Sequence, residues 1–182
     1  MKLFSVLLIA LAPALPAQAS RMAPSPDAVV SGVRDLWHIT NDYVLAAAQQ
    51  MPESGYAFKP TPEVRSFGEV VAHVANAHQL LCGMALGQQP AEHAASSKAD
   101  VIAALQASNA LCVKAYAMSD AESFKPLNAV AAKAWVAAGF GPPSTQLHAI
   151  TMNAWHDSEH YGNIVTYMRL KGMVPPSSQP KK

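Results

Sequence analysis

The sequence predicts an all-α protein, a four-helix bundle, and three observations lead to this fold class. Apolar residues recur at helical spacing in four long segments. Each segment is bounded by capping residues, by glycine or by proline, which are typical of helix ends. No segment shows a convincing alternation of apolar and polar residues of the kind that predicts a strand. Because amphipathic helices bury their apolar faces against one another, the four segments are expected to pack as one bundle.

Residues 1–19 precede the predicted bundle and have the pattern of a signal peptide. Lys2 is followed by an apolar stretch, and Ala17 and Ala19 form a small-x-small cleavage site. The apolar stretch is too short to cross a bilayer. We therefore expect cleavage after Ala19, a secreted or periplasmic protein without a stable membrane anchor, and one domain formed by residues 20–182.

The first helix is predicted from about Pro26 to Met51. It opens with Ser25, Pro26 and Asp27, so a cap, a proline and an acid follow one another as they do at helix starts. Pro52 ends the helix, and a proline-rich connection follows. The predicted inner face carries Val29, Val30, Val33, Leu36, Trp37, Val44 and Leu45.

The second and third helices are predicted on either side of a polar loop. Ser66 and Glu69 match a capping box, and the second helix continues from there to about Leu86, before a glycine. The third helix is predicted from about Ala99 to Met118. Its predicted inner face carries Val101, Ile102, Leu105, Leu111 and Cys112.

The fourth helix is predicted from about Thr145 to Lys171, with Ser144 as its N-cap and with a glycine and two prolines after its end. At 1.5 Å per residue it is about 40 Å long, which suits an element of a bundle. The preceding residues 119–143 include an alanine-rich patch, and this interval is either a short helix or an irregular flap.

Two histidines of the fourth helix are candidate metal ligands. His156 and His160 are four residues apart, so their imidazoles project from one face of the helix about one turn apart. The rest of that stripe is mostly apolar, so the face is expected to point inward. Because an imidazole nitrogen without a partner is costly in a core, we predict that a metal ion binds this pair.

A third ligand is expected from the second helix, which carries His73 and His78. Five residues rotate a helix by about 140°, so both histidines cannot face one metal ion. The apolar flanks of His73 place it on the buried stripe, where it is either a hydrogen-bonded core residue or a ligand. As a ligand it completes a set of three histidines with an open fourth position, which is typical of catalytic metal sites. The histidines expected in surface, loop or hydrogen-bonding positions are His38, His93 and His148.

Several polar residues lie close to these histidines along the chain. Glu69 lies one turn before His73, and it is interpreted as a capping residue rather than as a group that orients His73 or acts as a base. Asp157 and Glu159 flank the histidine pair without forming an HExxH motif, and Glu159 is expected to be exposed or supporting rather than catalytic. Asn76 and Asn153 each lie three residues from a candidate ligand, and they bind either a metal-bound water or a local group.

The segments FGEVVAHVANAH and NAWHDSEHYGNIVTYMRLKGMVPP together resemble the DinB superfamily of metal-dependent four-helix bundles. The resemblance implies that His73, His156 and His160 ligate a divalent metal ion, with zinc or nickel as the usual metals. It also implies a small-molecule substrate, because some members transfer or isomerise groups with small thiols such as bacillithiol, mycothiol or glutathione. Whether the protein is a monomer or a homodimer is left open.

The two cysteines, Cys82 and Cys112, fit neither a CxxC motif nor a haem-attachment motif. By themselves they are either one disulfide, if the compartment is oxidising, or two buried thiols. The resemblance implies that the second and third helices are parallel and joined by a crossover. Both cysteines lie near the C-terminal ends of their helices, so the parallel arrangement places them at the same height along the bundle axis. A disulfide is then expected.

Two functions fit these features best. The first is a metal-dependent enzyme of the hydrolase or small-thiol S-transferase type, acting on a small molecule. The alternative is a non-catalytic periplasmic metal-binding or sensing bundle. A haem bundle is disfavoured, because a histidine pair at this spacing would waste one ligand. The formal net charge is +1, so no electrostatic feature suggests nucleic acid as a partner.

Overall fold

The computed structural model describes residues 26–89 and 97–180, and within these ranges the chain is helical and contains no strands. The predicted signal peptide, its cleavage site after Ala19, and His93 lie outside the described residues. None of the described helices is long and apolar enough to cross a membrane. The helices are α1 (Ala28–Gln50), α2 (Phe67–Ala85), α3 (Lys98–Ala115), α4 (Asp120–Ser123), α5 (Ala129–Ala137) and α6 (Gln146–Leu170), with 3-10 turns at Glu53–Gly55 and Pro176–Ser178.

Reciprocal side-chain caps begin two of the long helices. In α2, the Glu69 amide donates to Ser66 Oγ at 3.2 Å, and the Ser66 amide donates to the Glu69 carboxylate at 2.6 Å. This arrangement confirms the predicted capping box. Ser97 and Asp100 form the same arrangement at the start of α3.

The start of α6 was predicted one residue too early. Its N-cap is Thr145, because the His148 amide donates to the Thr145 hydroxyl at 3.3 Å, whereas the Ser144 hydroxyl lies 2.7 Å from the His148 ring. The third helix also ends earlier than predicted, at Ala115. The interval 119–143, for which two alternatives were open, contains the two short helices α4 and α5.

Two residues of the predicted inner face of α1 were wrong, and one of them, Val29, is 42% exposed. Leu36 is 65% exposed, whereas its neighbour Trp37 is fully buried. The buried stripe of α1 runs through Trp37, Val44 and Ala48. Since successive residues are about 100° apart around a helix, Leu36 falls at the edge of that stripe and faces outward.

The four long helices pack side by side. α2 contacts α3 and α6, and α1 contacts α6 and α3. α2 and α3 are parallel, because residues 30 positions apart meet at both His78 with Ser108 and Cys82 with Cys112. α6 is antiparallel to α2, since the Tyr167 hydroxyl near its end donates to a carbonyl just before the start of α2.

A layer of buried polar residues, called the polar level below, divides the interior into two apolar clusters. One cluster includes Trp37 and Tyr116, and the other includes Phe67 and Ile164. Each long helix carries a buried polar residue between the two clusters, namely Asn41 in α1, His78 in α2, Ser108 in α3 and Asp157 in α6. The polar level therefore adjoins the predicted metal ligands of α6.

A disulfide joins Cys82 to Cys112, and this confirms the expectation that the two residues lie level on parallel helices. Their Cα atoms are 5.1 Å apart, and both side chains are fully buried. The bond connects α2 to α3 near the C-terminal ends of both helices. It thus closes the loop that contains the crossover between them.

We expect the double variant Cys82→Ala/Cys112→Ala to lose about 3 to 4 kcal/mol of unfolding free energy, because a disulfide across a loop of this length restricts the unfolded chain by that amount in the chain-entropy model. Urea denaturation of the oxidised wild type and of the variant measures the difference. Mass spectrometry of the protein, purified without a reductant, provides the check: two free thiols would contradict the bond.

Candidate metal centre

Three histidines from α2 and α6 converge on one point. The Nε2 atoms of His73 and His156 are 3.1 Å apart, and those of His156 and His160 are also 3.1 Å apart. The candidate ligand atoms of all three lie within 4.8 Å of one another. The antiparallel packing of α2 on α6 brings His73 opposite the pair. The structure thus brings together the three histidines that were predicted as ligands.

The spacing of these nitrogens suits a divalent ion. Tetrahedral zinc with Zn–N distances of about 2.0–2.1 Å holds its ligand nitrogens about 3.3 Å apart. Without an ion, His156 Nε2 faces two other ring nitrogens at 3.1 Å. A neutral ring nitrogen carries either one hydrogen or one lone pair, so it can satisfy only one of these neighbours. A cation at the centre satisfies all three, and the group can therefore hold a metal ion.

Burial keeps the three imidazoles in the neutral form that binds metal. Burial, reinforced by the nearby imidazoles of His160 and His73, lowers the pKa of His156 from 6.5 to about 3. Burial and the charge of Arg65 lower the pKa of His73 to about 4. Burial also lowers the pKa of His160, although Glu159 opposes that shift. Protons therefore compete weakly with a metal at neutral pH.

The far nitrogen of one ligand candidate has a neighbour that can orient the ring. His160 Nδ1 lies 3.3 Å from the side-chain nitrogen Nδ2 of Asn163, and a half-turn of this amide exchanges its nitrogen for its oxygen. With the amide oxygen turned toward the ring, Asn163 accepts a hydrogen bond from Nδ1 and leaves Nε2 free for a metal ion. His156 Nδ1 is buried and has no hydrogen-bond partner among the described residues.

His78 and Asp157 form a buried pair beside the three histidines. His78 Nε2 lies 2.7 Å from the Asp157 carboxylate, and both side chains are fully buried. The other ring nitrogen of His78 lies 3.3 Å from Ser108 Oγ. His78 stays outside the three-histidine group, in agreement with the prediction, and it binds the acid that follows His156 along the chain.

This role of Asp157 was not predicted from the sequence, in which Asp157 was considered only as a residue flanking the ligands. A signal was present, because Asp157 is four residues after Asn153 and three before His160, on the same helical stripe. All three residues are buried. An acid on a buried stripe needs a partner, and only the packing of α2 on α6 identifies that partner as His78.

The other residues that were considered beside the histidines either form contacts that stabilise the fold or are exposed. Glu69 caps α2 and forms a 3.2 Å ion pair with Lys59. Glu159 is exposed. The Asn153 side chain donates to the Tyr116 hydroxyl at 3.2 Å, which is a tertiary contact across 37 residues and not the local bond that was one of its two predicted roles. Two histidines expected outside the site, His38 and His148, are exposed.

An open cleft of about 560 Å³ lies beside His73. Its floor is formed by one face of α2, including His73 and Asn76, and its wall by the connection that precedes α2. Lys59, Glu63 and Arg65 are the charged residues of that connection that line the cleft. A volume of this size suits a small molecule.

Comparisons with known proteins agree with this architecture. Residues 36–164 match the family model of the DinB superfamily, and this range includes all three histidines. The fold is similar to that of a DinB-like protein from Bacillus cereus, with 14% sequence identity and a TM-score of 0.64. That similarity covers 80% of this chain and 95% of the other. Among curated proteins, no significant match was found.

Proposed function

This chain belongs to the DinB superfamily, and from that premise we propose that it binds a divalent metal ion through His73, His156 and His160 and is a metal-dependent enzyme. The proposed reaction is of the hydrolase or small-thiol S-transferase type, on a small molecule. The observation that carries the proposal is the convergence of three Nε2 atoms, with 3.1 Å between neighbours. Zinc and nickel are the proposed metals, since both accept imidazole ligands.

The chain's own residues have separate tasks in this proposal. The three neutral imidazoles hold the ion and leave a coordination position for another group. A divalent ion there supplies Lewis-acid chemistry. The cleft beside His73 admits the small molecule. The four long helices act as a four-helix bundle that supports this site, and residues 20–182 form the mature domain.

The alternative is a non-catalytic metal-binding or sensing bundle, and one observation favours it. Two of the three acids that were considered beside these histidines are already engaged. Asp157 is paired with His78, and Glu69 caps α2 and is paired with Lys59. Neither carboxylate is therefore free to act as a general base.

Metal content and activity test the proposal in two steps. Protein purified without added metal is expected to contain zinc or nickel at one ion per chain, as measured by elemental analysis. A screen with hydrolysable and thiol-reactive substrates then separates the two functions. Stoichiometric metal without any activity favours the binding module, and metal-free protein that takes up neither ion rejects both.

Export is part of the proposal, and it predicts a mature N-terminus at Ser20. The support is the small-x-small pattern at Ala17 and Ala19. The full chain is expressed in a Gram-negative host, and the intact mass of the protein in the periplasmic fraction is measured. Ala19→Asp removes the small residue from the cleavage site and is expected to leave the leader attached. A full-length chain confined to the cytoplasm would reject export.

A further inference from the structure

We propose that the cleft beside His73 selects small molecules that carry a carboxylate, and that Arg65 binds this group while another part of the molecule reaches the metal ion. The inference rests on the proposed metal site and extends it to a class of substrate. Arg65 and His73 line the same cleft. A single small molecule can therefore contact both.

The charged residues that line the cleft leave the Arg65 guanidinium available to bind the carboxylate of a ligand. The Lys59 ammonium and the Glu69 carboxylate are paired at 3.2 Å, and the Ser66 amide also donates to that carboxylate. Hydrogen bonding from the Thr61 side chain and from its own backbone lowers the pKa of Glu63. In the part of the chain that the structure describes, no carboxylate lies within ion-pair distance of the Arg65 guanidinium, which is exposed.

The metal centre adds positive charge on the same side. Three neutral imidazoles leave the charge of a divalent ion uncompensated, and the buried carboxylate of Asp157 is already paired with His78. An anion placed between Arg65 and the ion interacts favourably with both charges.

The backbone of Arg65 is held in place although its side chain is exposed. The Tyr167 hydroxyl donates to the Arg65 carbonyl at 2.8 Å, and the next residue, Ser66, caps α2. Less ordering is therefore needed when a ligand binds. The planar guanidinium presents two parallel N–H groups to a carboxylate, which a lysine at this position would not do.

Two hydroxamates test the proposal, because a hydroxamate binds a divalent ion directly. Acetohydroxamate carries no further charge, whereas succinate monohydroxamate carries a carboxylate. Isothermal titration calorimetry compares both ligands on the zinc-loaded wild type. We expect the wild type to bind the carboxylated ligand about tenfold more tightly, as one charge-assisted contact provides.

The variants assign that preference to one side chain. Arg65→Gln is expected to bind both ligands equally, and Arg65→Glu to prefer acetohydroxamate, while both retain one zinc ion per chain. Lys114→Gln, which removes an exposed cation of α3 outside the cleft residues, keeps the preference. The inference about Arg65 is overturned if the zinc-bound wild type binds both hydroxamates equally, or if Arg65→Gln keeps the preference for the carboxylated ligand. Either result leaves the proposed metal site standing. A wild type that binds no zinc overturns the metal site as well.

Discussion

His156→Ala is expected to reduce bound metal from one ion per chain to background, and His160→Ala is expected to do the same. His156 Nε2 lies 3.1 Å from the ring nitrogens of both other histidines, so its removal leaves two ligands without their common neighbour. Two imidazoles hold a divalent ion far more weakly than three, because each ligand adds to the binding free energy. Elemental analysis after gel filtration measures the loss.

The helical fold is expected to persist in these variants. Neither His156 nor His160 belongs to the two apolar clusters that fill the interior. Circular dichroism should therefore remain that of a helical protein. Either variant with a full equivalent of metal would contradict the proposed ligand set.

The control for this experiment follows from the structure. His78→Ala would be a natural choice from the sequence, because His78 was expected to point away from the metal. It is unsuitable, since removing the imidazole leaves the Asp157 carboxylate buried without its partner. His38→Ala is the better control, because His38 is exposed and outside the three-histidine group. We expect it to retain its metal.

Asp157→Ala is expected to lower the unfolding free energy by about 3 to 5 kcal/mol, and His78→Ala by a similar amount. Both side chains are fully buried and lie 2.7 Å apart, so removing one leaves the other polar group in the interior without its main partner. The pair also joins α6 to α2, the two helices that supply the candidate ligands. Urea denaturation of the metal-free proteins measures the effect without the contribution of metal binding.

A double-mutant cycle separates the interaction from the loss of each side chain. The double variant should lose less stability than the sum of the two single variants, because neither partner is then left alone. Glu159→Ala removes an exposed acid from the same helix and is the matched control, with an expected change within about 0.5 kcal/mol. Additive losses in the cycle would show that the two side chains stabilise the protein independently.

The helices and the histidine pair were predictable because they depend on residues close together in the chain. A capping box joins Ser66 to Glu69, three residues apart, and the pair of His156 and His160 follows from the helical repeat. The start of α6 and the end of α3 were predicted less accurately. The competition between neighbouring caps and turns at a helix end is settled by individual contacts, as at Ser144 and Thr145.

The family resemblance extended the prediction beyond local patterns. It supplied the parallel arrangement of the second and third helices, and from this followed the disulfide between Cys82 and Cys112. The spacing of the two cysteines could not decide this, because residues on separate helices approach each other only through the direction and register of the helices. The same limitation applied to the third ligand candidate, His73.

The sequence by itself determined the helices, the inward face of α6 and the pairing of His156 with His160 on that face. Only the tertiary structure decided that His78 binds Asp157 and that Arg65 lies in the same cleft as His73. His78 and Asp157 are 79 residues apart in the chain, and Arg65 lies in the connection before α2, so no helical repeat relates either pair. Their contacts depend on how α2, α6 and the connection before α2 pack, which in turn depends on the sum of many apolar contacts along the helices.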